Sequence, residues 1–348
     1  MNVDIAGHRV GLGHRCVIIA EAGVNHNGSI ETARRLVDAA VDVGADAVKF
    51  QAFSAQRLVA ASAPKAAYQA RTTGAGESQL AMLTRLELSA RDHQDLFAYC
   101  RQRGIMYLCT PFDEASADFL AELGVAAFKL PSGELTNLPL LAHVARKGRP
   151  ILVSTGMATL AEVRSAVEAI RQAGNPPLIL LHAVSSYPAD AADANLRAMQ
   201  TMGDVFGVPV GYSDHTLGIE VALAAVALGA CVIEKHVTLD RTLPGPDHRA
   251  SLEPHEFASL VRGIRTVEAS LGHGRKEPAA SEANTAAVAR KSLVAARPIA
   301  RGSVVTADAV AIKRPGTGLA PTELSRIVGK IAAEDIPADA LFTLEMLT

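Results

Sequence analysis

Two histidines, His215 and His236, each end a short apolar run and each stand among polar residues. The first lies in Val210-Gly-Tyr-Ser-Asp-His-Thr-Leu, the second in Cys231-Val-Ile-Glu-Lys-His-Val-Thr-Leu-Asp. Neutral imidazole is the commonest side-chain ligand for a divalent metal. A single histidine at a strand end is more often a hydrogen-bonded structural residue. Two at successive strand ends, with Asp214 and Glu234 beside them, point to one divalent cation shared between them.

Cationic and hydroxyl side chains accompany the histidines. In Val48-Lys-Phe-Gln, strand alternation puts Lys49 and Gln51 on one face and Val48 and Phe50 on the other. Lys129 stands in Phe128-Lys-Leu-Pro-Ser-Gly-Glu, which also supplies Ser132 and Glu134. A lysine buried at such a place needs either an anionic ligand or a neighbouring Glu as ion-pair partner. Two lysines converging with Ser132, Ser154 and Ser213 make a cage for a phosphate or carboxylate, because charge-assisted donors give short, strong bonds. Ser154-Thr-Gly-Met precedes a helix expected from Leu160, whose free amides suit an anion. The chain has neither a Walker loop nor a dinucleotide glycine fingerprint, so a nucleotide is not the expected anion.

Glu21 opens Glu21-Ala-Gly-Val-Asn-His-Asn-Gly. There Asn27-Gly28 reads as a turn and Asn25 as a helix cap, which leaves Glu21 unexplained unless it serves a site. His182-Ala-Val-Ser-Ser-Tyr-Pro brings the hydroxyls of Ser185, Ser186 and Tyr187, fit for hydrogen-bonding a sugar. Asp247 sits in Leu243-Pro-Gly-Pro-Asp-His-Arg, a proline-stiffened loop just after His236, where a solvated charge and a substrate contact are both open readings.

These residues need a scaffold that gathers strand ends. Candidate strands are Cys16–Ala20, Ala47–Gln51, Met106–Thr110, Ala127–Leu130, Ile151–Ser154, Leu178–His182, Val208–Tyr212 and Cys231–His236. Amphipathic stretches such as Ser29–Val43, Leu160–Ala173 and Leu217–Leu228 lie between them. That rhythm implies parallel pairing, and eight units favour closure into a (β/α)8 TIM barrel, whose active sites gather at the carboxyl ends of the strands. Phe53–Leu88 breaks the rhythm with a polar, Ala-rich stretch that reads as a lid or binding loop. We assign residues 1–272 to the barrel, 273–290 to a linker and 291–348 to a small β-rich module with strands at Ser292-Leu-Val-Ala-Ala and Val310-Ala-Ile-Lys.

Among the 348 residues, 49% are apolar and only 4% aromatic, so Ala, Val and Leu must fill the core. A net charge of −2 with mixed signs gives no footprint for nucleic acid or an anionic membrane. Cys16, Cys100, Cys109 and Cys231 are scattered, which favours buried free thiols over a zinc or redox motif. The start shows no signal-peptide pattern, and no apolar run reaches the roughly 20 residues that span a bilayer, so a cytoplasmic location is expected.

Taken in order, Ala20-Glu-Ala-Gly-Val-Asn-His-Asn-Gly, Val48-Lys-Phe-Gln, Lys129-Leu-Pro-Ser-Gly-Glu, Ser154-Thr-Gly-Met, Ser213-Asp-His-Thr, Glu234-Lys-His-Val-Thr-Leu-Asp and Gly245-Pro-Asp-His resemble the sialic acid synthase family. The tail, from Lys291-Ser-Leu-Val-Ala to Lys313-Arg-Pro-Gly-Thr-Gly, resembles that family's antifreeze-like (SAF) domain. The resemblance implies condensation of phosphoenolpyruvate with open-chain N-acetylmannosamine to give N-acetylneuraminate and phosphate. It leaves an N,N'-diacetyllegionaminate or other nonulosonate synthase as the alternative. It places a divalent cation, Mn2+ first with Mg2+ or Co2+ as substitutes, on His215 and His236, and phosphoenolpyruvate on Lys49, Lys129, Ser132, Ser154, Ser185 and Ser213. Glu21, Gln51, Tyr187 and Asp247 fall on sugar-binding or proton-handling positions, and Glu134 beside the reacting carbons. The family further implies a domain-swapped homodimer in which Arg314 reaches the partner's sugar. A non-enzymatic binding protein is the reading from another class. The set Glu21, Lys49, Lys129, His215 and His236 argues against it.

Overall fold

Eight Val-, Ile- and Leu-rich runs form the parallel strands of one sheet in the computed structural model, which describes residues 2–74 and 76–348. A hairpin of β1 (Val3–Ile5) and β2 (His8–Val10) comes first. The sheet then follows with β3 (Val17–Gly23), β4 (Ala47–Ala52), β5 (Met106–Pro111), β6 (Phe128–Leu130), β7 (Ile151–Ser154), β8 (Leu178–Ala183), β9 (Val210–Asp214) and β10 (Val232–His236). Hydrogen bonding runs β5-β4-β3-β10-β9-β8-β7-β6, and the outer strands β5 and β6 lie against each other, so the sheet curls into a nearly closed barrel.

Helices cover it. α1 (Ile30–Asp42) follows β3. The three short helices α2 (Ala55–Leu58), α3 (Ala67–Thr73) and α4 (Gln79–Thr84) then occupy the long connection before α5 (Ala90–Arg103). α6 (Glu114–Leu123), α7 (Leu138–Ala145), α8 (Leu160–Ala173), α9 (Arg197–Phe206), α10 (Glu220–Ala227) and α11 (Pro254–Leu271) complete the ring.

Strand alternation sorts the core into two layers. Outward residues such as Ile18, Val48, Phe50, Tyr107, Phe128 and Ile233 pack against helix residues such as Leu36, Val37 and Leu96. Inward residues Val17, Ile19, Ala47, Leu108, Ala127, Leu152, Ile179 and Val232 fill the barrel together with Val3, Ile5 and Val10 of the hairpin. The hairpin therefore plugs the end where the strands begin, leaving the other end for a site. Its three-residue strands give too little pattern to be read from sequence.

One local expectation is corrected. The cap of α1 is Ser29, whose hydroxyl accepts from Thr32 N, rather than Asn25. Asn25 is buried and its Nδ2 donates to Val237 O and Ser251 Oγ, both at 2.9 Å, tying strand ends together. At the start of α8, Thr159 and Glu162 form a reciprocal capping box that occupies the Thr159 and Glu162 amides.

The contacts divide the chain into a unit up to Gly272 and a second from His273. In the second unit β11 (Ser292–Ala295) pairs antiparallel with β12 (Val310–Lys313), with α12 (Ala283–Ala289) before them and α13 (Leu324–Ile327) after. Leu293, Ile299, Val305, Ile327, Ile336 and Phe342 form its core. All four cysteines are free and buried. No helix among the described residues is long and apolar enough to cross a membrane.

Candidate active site

Along the inward face of the strands, apolar residues give way to polar ones near the carboxyl ends. Ile19 leads to Glu21, Ala47 to Lys49 and Gln51, Leu108 to Thr110, Ala127 to Lys129, Leu152 to Ser154, and Val232 to Glu234 and His236. Register aligns them further: Glu21 pairs with Lys49 on one side and with His236 on the other. Gly23, at φ +52°, keeps this crossing open, since a Cβ there would meet Glu21 Oε1 at 3.2 Å and Gln51 Nε2 at 3.4 Å.

The result is a cavity of about 460 Å3. It is lined by Glu21, Lys49, Gln51, Lys129, Ser132, Glu134, Ser154, Ser185, Tyr187, Ser213, His215, His236 and Asp247, the residues singled out in the barrel. Asp247 is buried rather than solvated. Ser186 is exposed and turns to Pro188 O at 3.3 Å. Arg314 belongs to the second unit, where it is exposed and its Nε donates to Ala289 O at 3.1 Å.

A buried charge network forms the floor. Lys49 Nζ lies 2.8 Å from Glu21 Oε2 and 3.8 Å from Glu234 Oε2, and donates to Thr110 Oγ1 at 3.0 Å. Lys129 Nζ lies 3.6 Å from Glu234 Oε1, which also accepts from Ser213 Oγ at 2.9 Å. Burial favours the neutral form of each group, and the partners then push them apart. Glu234 is held down at about 2, because Lys129 and Lys49 outweigh its desolvation. Lys49 is raised, its own desolvation being outweighed by Glu21 and Glu234. Lys129 falls to about 8, since burial and the like charge of Lys49 prevail over Glu234. Burial raises Glu21 despite Lys49. Burial, with Glu21 nearby, lifts Asp247 to about 7.

Hydroxyls gather beside the lysines. Ser132 Oγ accepts from Gly156 N at 2.9 Å. Only glycine fits there, for a Cβ would come within 2.3 Å of Ser185 Oγ and 2.8 Å of Ser132 Oγ. Ser154 Oγ is buried without a hydrogen-bond partner among the described residues, which marks it as waiting for a ligand. Glu134 Oε2 is fixed by Asn137 Nδ2 at 2.7 Å.

The two imidazoles stand together above this floor, ring centroids 5.6 Å apart, with Tyr187 at 4.2 Å over His215 and edge-on to His236 at 5.7 Å. Burial holds both histidines below their usual range, with Lys129 adding to it at His215 and Lys49 at His236, which favours the neutral imidazoles. His215 Nδ1 bonds to Val184 O at 2.7 Å and must donate there, which leaves Nε2 with a free lone pair. His236 Nδ1 is buried and has no hydrogen-bond partner among the described residues. Neutral nitrogens with free lone pairs fit a divalent cation. No group of three or more His, Cys, Asp or Glu among the described residues is placed to hold one, so water and substrate oxygens would complete its shell.

Glu234, Thr110 and Tyr68 line the cavity without having been singled out as site residues. Glu234 shares its strand face with His236, so alternation could have found it. Thr110 ends its strand on the inward face by the same rule. Tyr68 lies in the Ala-rich stretch and carried no signal.

The profile of the NeuB family matches residues 36–276, and that of the SAF domain residues 290–348. The chain is 49% identical over 327 residues to an N,N'-diacetyllegionaminic acid synthase of Legionella pneumophila, covering 93% of this chain and 92% of that one. It is 36% identical to an N-acetylneuraminate-9-phosphate synthase of Homo sapiens, covering 98% and 95%. The solved N-acetylneuraminic acid synthetase of Leptospira borgpetersenii superposes with a TM-score of 0.73 at 37% identity, over 82% of this chain and 95% of that one. The chain thus belongs to the NeuB family of sialic-acid-type synthases, with a SAF domain at its carboxyl end.

Proposed function

We propose that this protein condenses phosphoenolpyruvate with the open-chain aldehyde of an N-acylated hexosamine, giving a nine-carbon 2-keto acid and phosphate. The observation that carries the reading is the juxtaposition, in one cavity, of a two-lysine floor rimmed by hydroxyls and two neutral histidines above it.

Lys49, Lys129, Ser132, Ser154, Ser185 and Ser213 would hold the carboxylate and phosphate of phosphoenolpyruvate. Glu234, ionised throughout, keeps the lysines charged and in place between turnovers. The chemistry that a divalent cation, Mn2+ first, would supply at His215 and His236 is polarisation of the aldehyde oxygen. In the reaction the methylene carbon of phosphoenolpyruvate bonds to the aldehyde carbon, whose oxygen gains a proton. One water adds its oxygen at the enol carbon as phosphate leaves. Asp247 titrates near neutrality and can carry the first proton, while Glu21 can take one from the water. Gln51 and Tyr187 would hold sugar hydroxyls, and Glu134 would face the reacting carbons. We further propose a homodimer in which Arg314 completes the partner's site.

The sugar is the finer question. The sequence motifs are common to both kinds of synthase, and the reading from them puts N-acetylmannosamine first. The 49% identity to a legionaminic acid synthase, against 36% and 37% to the two neuraminate-type proteins, favours a diacetamido-trideoxyhexose instead. We adopt the diacetamido sugar, with N-acetylmannosamine second. A phosphorylated sugar is disfavoured, because Lys49 and Lys129 are the only Lys or Arg lining the cavity among the described residues, and both belong to its floor.

The test is phosphate release from phosphoenolpyruvate with a panel of N-acyl hexosamines. Turnover should be fastest with the diacetamido sugar. No release with any member would overturn the enzymatic reading in favour of a binding protein.

A further inference from the structure

The connection between β4 and α5 brings α3 over the cavity. Tyr68, in the first turn of α3, stacks on Tyr187 with ring centroids 4.9 Å apart and planes 29° from parallel. Tyr187 in turn covers His215. One turn on and on the same face of that helix, Thr72 Oγ1 donates to Tyr68 O at 3.1 Å and lies 3.4 Å from Pro246 O, next to Asp247. The base of this lid is knotted. Lys65 Nζ donates to Thr73 Oγ1 and Gly74 O, both at 2.9 Å, and to Glu77 Oε1 at 3.0 Å, while Glu77 also pairs with Arg85. The Lys65 side chain is only 4% exposed, so the two ends of α3 are tied by a buried cation.

We propose that Tyr68 is a specificity-determining residue: stacked on Tyr187, it forms an aromatic wall of the cavity against which the second acylamino group of the sugar packs. This rests on the proposed function and assigns its substrate selection to the lid. The depth of the cavity is taken by the lysine floor, and the aldehyde belongs at the histidines. The remaining carbons of an open-chain sugar must then extend outward past Tyr187, where Tyr68 is the next wall. An acylamino group is planar, with a polar edge and an apolar methyl. Aromatic faces accommodate such a group by stacking, and recognition of one extra group in a fitted pocket discriminates roughly 10- to 200-fold. N-acetylmannosamine has only one acylamino group, and the hydroxyl it carries in place of the second gains nothing comparable from that wall.

The experiment compares wild type, Tyr68→Ala, Tyr68→Phe and Lys65→Met, with kcat/KM measured on the diacetamido sugar and on N-acetylmannosamine, and phosphoenolpyruvate affinity measured by calorimetry. Tyr68→Ala should lower kcat/KM for the diacetamido sugar roughly 10- to 100-fold, and for N-acetylmannosamine no more than about 3-fold. Its affinity for phosphoenolpyruvate should stay within about 2-fold of wild type, a readout that a general loss of fold would move. Tyr68→Phe should restore the discrimination, since the ring makes the wall. Lys65→Met should loosen the lid and lower both sugars alike. Equal loss on both sugars in Tyr68→Ala would reduce Tyr68 to a lid contact, and weakened phosphoenolpyruvate binding would place it elsewhere; either result overturns the proposal. If wild type releases no phosphate with any acylhexosamine, the function itself fails, a different outcome from failure of the variant.

Discussion

Lys235 and Asp214 face each other across the β9–β10 ladder, Nζ to Oδ2 2.6 Å, with neither side chain exposed to solvent. Each directly precedes a cavity histidine. Because alternate residues of a strand face opposite ways, this ion pair lies behind His215 and His236, on the helix side of the barrel. Lys235 Nζ also donates to Thr216 O at 2.6 Å, and Asp214 Oδ1 accepts from Thr216 N and Oγ1. The pair therefore fixes the spacing of the two strand ends that carry the imidazoles. Lys235→Met should leave a buried carboxylate without its cation, at a cost of about 3–5 kcal/mol. Denaturant unfolding should show that loss, and the folded variant should bind Mn2+ more weakly. Unfolding at an unchanged midpoint would mean the pair contributes no stability.

Lys129 gives a pH-dependent prediction. Its burial lowers it to about 8, and only the protonated form attracts an anion. Affinity for phosphoenolpyruvate should hold below that value and fall as pH rises through it. Lys129→Met should remove this dependence and weaken binding about 10- to 150-fold, the equivalent of a charge-assisted bond worth roughly 1.5–3 kcal/mol. Calorimetry across pH 6.5–9.5 reads both effects. A flat wild-type profile, or unchanged affinity in the variant, would remove Lys129 from the anion site.

How far the sequence reveals this depends on the range of the interactions. The parallel strands are legible because they are buried on both faces and read as continuous apolar runs. Alternation then carries Lys49, Gln51 and His236 to the inward face, where the structure has them. Glu234 was visible only as a companion of His236, because the lysines that make it a hub come from β4 and β6, far away in the chain. Phe53–Leu88 reads as a lid or binding loop, with its helices not foreseen, for a similar reason. Its helices are short, and Met82 and Leu86 are held by Val24 and Phe53, a cluster that no local periodicity announces. Asn25 looked like a helix cap because its type suits one, but burial gave it other partners.

The histidine pair predicts an absolute need for a divalent cation. Exhaustive chelation should abolish phosphate release, and Mn2+ should restore it. Electron paramagnetic resonance of Mn2+ should report one bound ion in wild type and none in a His215→Ala, His236→Ala double variant. Retained activity of that variant in chelated buffer would show that the imidazoles serve another purpose.

Arg314 predicts a shared site. It stands exposed in Lys313-Arg-Pro-Gly-Thr-Gly, outside the set lining the barrel cavity, and Pro315 restrains the backbone beside it. A guanidinium is permanently charged and planar, suited to recognising substrate oxygens with two parallel bonds. If it completes the partner's cavity, Arg314→Ala and Glu134→Ala should each be nearly inactive alone. Mixed and allowed to exchange subunits, they should regain activity, because one of the two cavities in a mixed dimer then has an intact barrel and an intact arginine. With half the dimers mixed and one good site in each, recovery should approach about a quarter of wild-type activity per site, by statistics of random exchange. Mass spectrometry verifies the exchange. Mixed dimers that regain nothing would place Arg314 in its own chain's cavity or away from any, and a monomer in solution would exclude the shared site altogether.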